Sequence, residues 1–361
     1  MSENAPPGVT LPRGLTVVVG SAGLLVAILA LRQFASVLAP VLLALVVVIG
    51  VHPLTAVLQR RGVPRWLAVA LTLLAVFGFI VGMALAFAVS LARLGAVLPE
   101  YQDRIAELGV DLRHWLATFG VGPEQVRAAL GELSFGRVAG LVADLLLGIA
   151  ETFSSLIFLL FVVLFMGLDA HHFTRRLARV DGRRAPVVRA LGGFARGTRR
   201  YLVVTTVFGL VVAVVDGVFL WLVGVPSALL WGLLSFVTNY IPNIGFVIGV
   251  VPPAVLALLE GGPRLMAVVV AVYVLINFLI QSVLQPGYVG NAVDLSLTLT
   301  FLSLVFWSFV FGPVGAVLAI PLTLLAKALL LDVDPDTRWL SSLLSGSPPH
   351  DPEPEPARPP A

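Results

Sequence analysis

Six apolar runs of roughly 20 residues each, at 15–31, 34–52, 66–91, 149–168, 201–223 and 264–284, decide the solvent in which this chain folds. Coiled at 1.5 Å per residue, such a run crosses a hydrocarbon layer of about 30 Å with its backbone hydrogen bonds closed internally. Composition agrees: of 361 residues, 58% are hydrophobic and 12% charged, with a mean hydropathy of +1.01. A soluble domain carries about twice that share of charge. The chain reads as an integral membrane protein, and without cysteine it has neither a disulfide framework nor a thiolate metal site.

The polar, Pro-rich start MSENAPPGVTLPRG (1–14) is followed by an apolar run that continues into a second one without a small-residue cleavage site, so 15–31 reads as an uncleaved anchor. The end, SGSPPHDPEPEPARPPA (345–361), has too little apolar surface to bury, and 332–361 is expected to be a disordered cytoplasmic tail. Arginine placement orients the spans. The loop QRRGVPR (59–65) holds three arginines and the loop 169–200 nine against two aspartates, so both belong in the cytoplasm with the two termini. The segment 93–148, with five arginines and seven acids, belongs outside. The domain reading is a disordered 1–14, spans 1–3 over 15–92, an outer insertion 93–148, span 4 at 149–168, an Arg-rich loop 169–200 and a core 201–331.

Within the insertion, Leu94, Leu98, Tyr101, Ile105, Leu108, Leu112, Trp115 and Phe119 alternate spacings of four and three. That is a coiled-coil-like seam, suited either to a hairpin with the helix after 120–123 or to a homo-oligomer interface.

The core contains a segment that lipid should forbid. NYIPNIGFVIGVVPP (239–253) carries three prolines, two asparagines and two glycines inside an apolar stretch. The 15 residues from 227 to 241 make only about 22 Å of helix, and 244–259 makes a similar leg. The economical solution is a re-entrant hairpin, 227–259, that turns at Pro242-Asn243-Ile244-Gly245 near mid-membrane, where protein or water must satisfy the freed backbone. A second interrupted stretch, 297–331, breaks at Gly312-Pro313-Val314-Gly315. Gly245 precedes Pro252 by seven residues and Gly315 precedes Pro321 by six, and each hairpin follows one full span. The units share parts in opposite orientation, which is the inverted repeat of secondary transporters. The fold class expected is therefore an all-α multi-span bundle with two re-entrant hairpins and an outer helical insertion.

These stretches, with NFLIQSVLQPGYVGNAVDLSLTLTFLSLVFWSFVFGPVGAVLAIPLT (277–323), resemble the autoinducer-2 exporter family of bacterial membrane proteins. The resemblance implies a cell-membrane transporter or exporter; the family also includes members described as sodium/proton antiporters. It points to Pro242, Gly245, Gln285, Pro286, Gly312, Gly315 and Pro321. Many members place an acid where Gln285 stands, so this chain departs from carboxylate-based coupling at that position.

Among other polar residues, Asp216 is the only acid deep in an apolar span and is the candidate for proton or sodium coupling. Asn277, Gln281 and Gln285 recur every four residues and share a helix face that suits a small polar solute. Asn239, Asn243 and Pro313 join them as lining candidates at the two breaks. Thr205 and Thr206 read as packing or backbone-bonded residues, and Lys327 as a side chain that snorkels. Five histidines without HExxH, and the lack of a Walker loop or a GxSxG elbow, give no basis for an enzyme, a primary pump or a cofactor. The Arg-rich loop is explained by anionic lipid rather than nucleic acid. A non-transporting membrane scaffold that recruits partners through its outer helices is the competing reading.

Overall fold

A computed structural model describes residues 12–104, 158–169, 185–242, 244–284 and 295–334, together with the single positions 107, 110, 136 and 140. Every regular element among them is helical. The elements are α1 (Arg13–Gln33), α2 (Ala35–Arg60), α3 (Arg65–Val97), α4 (Phe158–Asp169), α5 (Ala185–Leu222), α6 (Ala228–Thr238), α7 (Gly245–Asn277), α8 (Leu297–Val317) and α9 (Ala319–Lys327). Short π-helical stretches continue α7 over Phe278–Leu284 and α9 over Ala328–Asp332. Five helices are long and apolar enough to cross a membrane: Ala35–Arg60, Arg65–Val97, Ala185–Leu222, Gly245–Gln281 and Leu297–Val317. Their outward faces carry Leu74, Val214, Trp221 and Leu302, all exposed, as a surface in contact with lipid allows. The protein is an all-α, multi-pass membrane protein.

Several bounds differ from the sequence reading. Helix α5 is already helical at Ala185, inside the loop assigned to 169–200, where Ala190 and Phe194 are buried in a cluster with Leu324 and Ala328 that holds the coil before the apolar run begins. Only Phe34 (φ −95°, ψ 15°) separates α1 from α2. Most of the seam in 93–148 lies outside the described residues, but Leu94 and Tyr101 are described and are buried against α5, α6 and α7 of the same chain.

Helix α5 is the axis of the core, and its two ends belong to different clusters. Its C-terminal end, Leu220, packs with Leu91 and Leu94 of α3, Tyr101, Leu230 and Trp231 of α6, and Val250, Ala254 and Val269 of α7. Its N-terminal end, Ala190 and Phe194, packs with Leu324 of α9 and with Ala328, beside Leu45 and Ile49 of α2. Between them, α5 and α6 approach backbone to backbone. A Cβ on Gly232 would lie 2.8 Å from the Ala213 carbonyl and 3.4 Å from Gly217 Cα. Small residues at such a crossing let helices associate in lipid, where there is no hydrophobic drive to do so.

Two Gly-Pro pairs reverse the chain. Gly262 (φ 71°, ψ −168°) and Gly312 (φ 63°, ψ −146°) break the helical path in conformations that strongly favour glycine, so that a helical leg lies on either side of each. Helix α7 doubles back at the first. Phe246 and Gly249 before it, and Tyr273 and Asn277 after it, line one cavity. Length alone makes Gly245–Gln281 a single span, whereas this shared lining makes it two opposed legs.

At the first reversal the Tyr101 hydroxyl donates to the Glu260 carboxylate, tying the end of α3 to the turn of α7. Burial first, and then this bond to the carboxylate, push the Tyr101 phenol up from its ordinary value. A raised folded value means that the stabilisation is complete below about pH 10, the unfolded phenol value, and is lost as pH rises beyond it. Tyr101→Phe is expected to lower the unfolding free energy by about 1–2 kcal/mol. Chemical denaturation in detergent at pH 7 and pH 10.5 should show the smaller loss at the higher pH.

Candidate functional site

The polar residues of the core converge on the C-terminal third of α5. Asp216 is fully buried, and its carboxylate lines a cavity of about 10 Å³, close to the room of one water molecule, with Ser235 and Thr238 of α6, Asn239 of the break, and Tyr273 and Asn277 of α7. Both carboxylate oxygens, Ser235 Oγ and the Tyr273 hydroxyl make no well-formed hydrogen bond among the described residues, although the Ser235 hydroxyl stands close enough to Asp216 and to Tyr273 to pair with either. Four poorly satisfied oxygen atoms around one water-sized space are unusual, because an uncompensated buried polar group costs about 1–3 kcal/mol and a charge more. The arrangement suits a bound water, a proton on the carboxylate, or a small desolvated cation held by oxygens.

The break between α6 and α7 is built by side chains of α5. The Asn239 amide donates to the Thr205 carbonyl at 3.1 Å and lies over Gly209, where a Cβ would come within 2.8 Å of its nitrogen. Tyr201 donates from its hydroxyl to the Tyr240 carbonyl at 3.1 Å, and the Thr206 and Tyr240 hydroxyls pair at 2.7 Å. Thr206 Oγ1 also bonds the Leu202 carbonyl, so the backbone-bonded reading of this residue holds. Asn239→Ala is expected to lower stability by about 1 kcal/mol, the worth of one amide hydrogen bond, which thermal unfolding in detergent would read.

The second break has a related construction. Gly245 lies so close to the preceding leg that a Cβ would overlap the Thr238 carbonyl; a Cβ on Gly315 would overlap the Trp307 carbonyl in the same way. The Trp307 indole donates to Thr323 Oγ1 at 3.0 Å, and Thr323 Oγ1 in turn donates to the Ala319 carbonyl at 2.8 Å. Helix α5 serves both breaks: Tyr201, Thr205 and Thr206 hold the first, while Leu202 packs with Trp307, Phe311 and Val314 at the second.

The residues singled out from sequence divide accordingly. Asp216, Asn239 and Asn277 share the cavity. Gly245, Gly315 and Pro321 are buried at the breaks, Pro242 is half-buried and Pro313 exposed. Asn243, Gln285 and Pro286 lie outside the described residues. Gln281 is exposed and donates to Asn277 Oδ1 at 3.0 Å, while the Asn277 amide donates to the Tyr273 carbonyl at 3.0 Å. The π-helical stretch from Phe278 changes the rotation per residue, so a period of four does not keep Gln281 on the cavity side. Ser235, Thr238 and Tyr273 were missed by the sequence reading. The signal was there: Ser235 and Tyr273 each sit one helical turn from a residue already chosen, Asn239 and Asn277.

Comparison with known proteins fits this architecture. Residues 21–333 match the family model described as "AI-2E family transporter". The AI-2 transport protein TqsA of Escherichia coli (strain K12) is 31% identical over 326 residues, covering 90% of this chain and 94% of its own. YhhT of the same strain is 28% identical over 316 residues, covering 87% and 90%. A Haemophilus influenzae transport relative is 30% identical over 335 residues, covering 90% and 94%. These relatives span nearly the whole membrane core described above, and the chain belongs to the AI-2E family of transporters.

Proposed function

We propose that this protein is a secondary transporter that exports a small polar solute across the bacterial inner membrane, with the Asp216 cavity as the seat of its coupling ion, a proton or sodium. The cluster of poorly satisfied oxygens on Asp216, Ser235 and Tyr273 supports this reading, since a carboxylate with only a neighbouring hydroxyl in a buried core is tolerated where a proton or cation comes and goes. Stretches 227–259 and 297–331 are read as re-entrant hairpins of opposite orientation. The first closes at the Leu220 end of α5 and the second ends beside Ala190 and Phe194 at the other, which supports the inverted arrangement. Alternating access would follow from movement of the hairpins about α5. Autoinducer-2, carried by the relative TqsA according to its name, is the first solute to test, in a cavity opened wider than the present one.

Sodium/proton antiport without an organic solute is the second reading. It is favoured by the cavity volume of about 10 Å³, which admits a water-sized species only.

Uptake of labelled autoinducer-2 into proteoliposomes, beside sodium and proton fluxes in the same vesicles, separates the two readings; no flux of any of them rejects both. The hairpin orientation is tested separately, since the chain has no native cysteine. A cysteine at Glu260 should react with an impermeant thiol reagent from outside intact cells, and one at Asp332 should be protected. Labelling of Asp332→Cys from outside would reject the inverted arrangement.

A further inference from the structure

A second cavity, of about 160 Å³, lies away from the Asp216 cavity, between α2, α3 and α4. Its polar lining is made of His52, Thr55 and Gln59 from α2 with Arg65 and Thr72 from α3. His52, Gln59 and Arg65 have donors to offer, while Thr72 spends its hydroxyl on the Ala68 carbonyl at 2.7 Å, and among the described residues no carboxylate lines the space. Arg65 uses one of its five N–H groups on the Leu168 carbonyl, at 3.2 Å, and Thr55 donates to Thr72 at 3.2 Å. The lining is graded. Gln59 and Arg65 stand at the adjoining ends of α2 and α3, whereas Val48, Val69 and Leu73 supply apolar walls further along the same two helices. Arg60 and Arg61 flank the same helix ends, and Arg199 reaches across to the Ile49 carbonyl at 3.2 Å.

We infer that this cavity binds the phosphate of an anionic membrane lipid, with Arg65, Gln59 and His52 on the headgroup and the start of an acyl chain along Val48, Val69 and Leu73. A guanidinium fork matches phosphate oxygens in pairs. Basic pockets between membrane helices at the water boundary recognise lipid phosphate by this combination of charge and apolar wall. Free phosphate offers the same oxygens but nothing for the apolar wall to cover, which favours the lipid as source.

Delipidated full-length protein in mild detergent provides the test, with retained ligand read by native mass spectrometry and thermal stabilisation read in parallel. Dioleoyl phosphatidylglycerol is expected to be retained at least tenfold more tightly than dioleoyl phosphatidylcholine, and inorganic phosphate to compete only weakly. Gln59→Glu changes an exposed side chain at the mouth and should weaken phosphatidylglycerol retention tenfold or more. Arg65→Lys, which keeps the charge and loses the fork, should weaken it less than Arg65→Ala. Arg61→Gln, outside the lining, should leave it unchanged. Equal retention of the two lipids, or full retention by folded Gln59→Glu protein, overturns the site. Inorganic phosphate held as tightly as phosphatidylglycerol overturns the assignment to lipid.

Discussion

Asp216→Asn in sealed proteoliposomes should abolish the dependence of flux on pH or sodium and reduce uphill transport at least tenfold, while the protein stays folded. The amide has nearly the volume of the acid, so the cavity between α5, α6 and α7 keeps its shape. What disappears is the ability to exchange a proton or to neutralise a cation. Stability should move by no more than about 1 kcal/mol, because the carboxylate has no well-formed hydrogen bond to lose and an amide can still pair with the neighbouring Ser235 hydroxyl. The transition temperature in detergent and the pH profile of flux would be measured on the same preparation. A variant that keeps the parent's pH and sodium dependence would show that the cavity is structural.

Paired substitutions at the two breaks should have the other large effect. Gly245→Ala and Gly315→Ala each place a methyl group onto a backbone carbonyl, Thr238 in one case and Trp307 in the other. A backbone carbonyl cannot step aside as a flexible side chain can, so each leg must separate from its neighbour at a cost of about 1–3 kcal/mol or more. Flux should fall more than tenfold in both variants. Gly312→Ala provides a contrast: nothing lies within 4 Å of its Cβ, yet φ of +63° penalises any side chain, so a loss of about 1–2 kcal/mol is expected from strain alone. Gly20→Ala in α1, also in open space and at an ordinary helical position, should be neutral or slightly stabilising. A strong effect at Gly245 with none at Gly315 would mean that the breaks are not equivalent parts.

Much of this architecture was legible in sequence because lipid simplifies the problem. Apolar run length located the core of α2, α3 and α5, and the breaks at 239–245 and 312–315 fell where prolines and glycines interrupt such runs. Asp216 was visible because a carboxylate within an apolar run has few innocent explanations. What sequence withheld depends on rotation and depth. Gln281 was grouped with Asn277 by a period of four and does bond to it, yet it stands exposed on the π-helical stretch, outside the lining of the Asp216 cavity. Ser235 and Tyr273 look like ordinary residues of membrane helices until the doubling of α7 at Gly262 brings both to Asp216. The crossing of α5 and α6 through Gly209, Ala213 and Gly217 was also readable as small residues four apart, but its partner, Gly232, is identified only by the packed structure.

Coupled transport stands or falls on flux against a gradient in vesicles of the wild-type protein. With the solute equal on both sides and an imposed proton or sodium gradient, the solute should accumulate beyond its equilibrium ratio, and an ionophore that collapses the gradient should erase the accumulation. Solute that only equilibrates, at a rate indifferent to both ions, would contradict a coupling role for the Asp216 cavity.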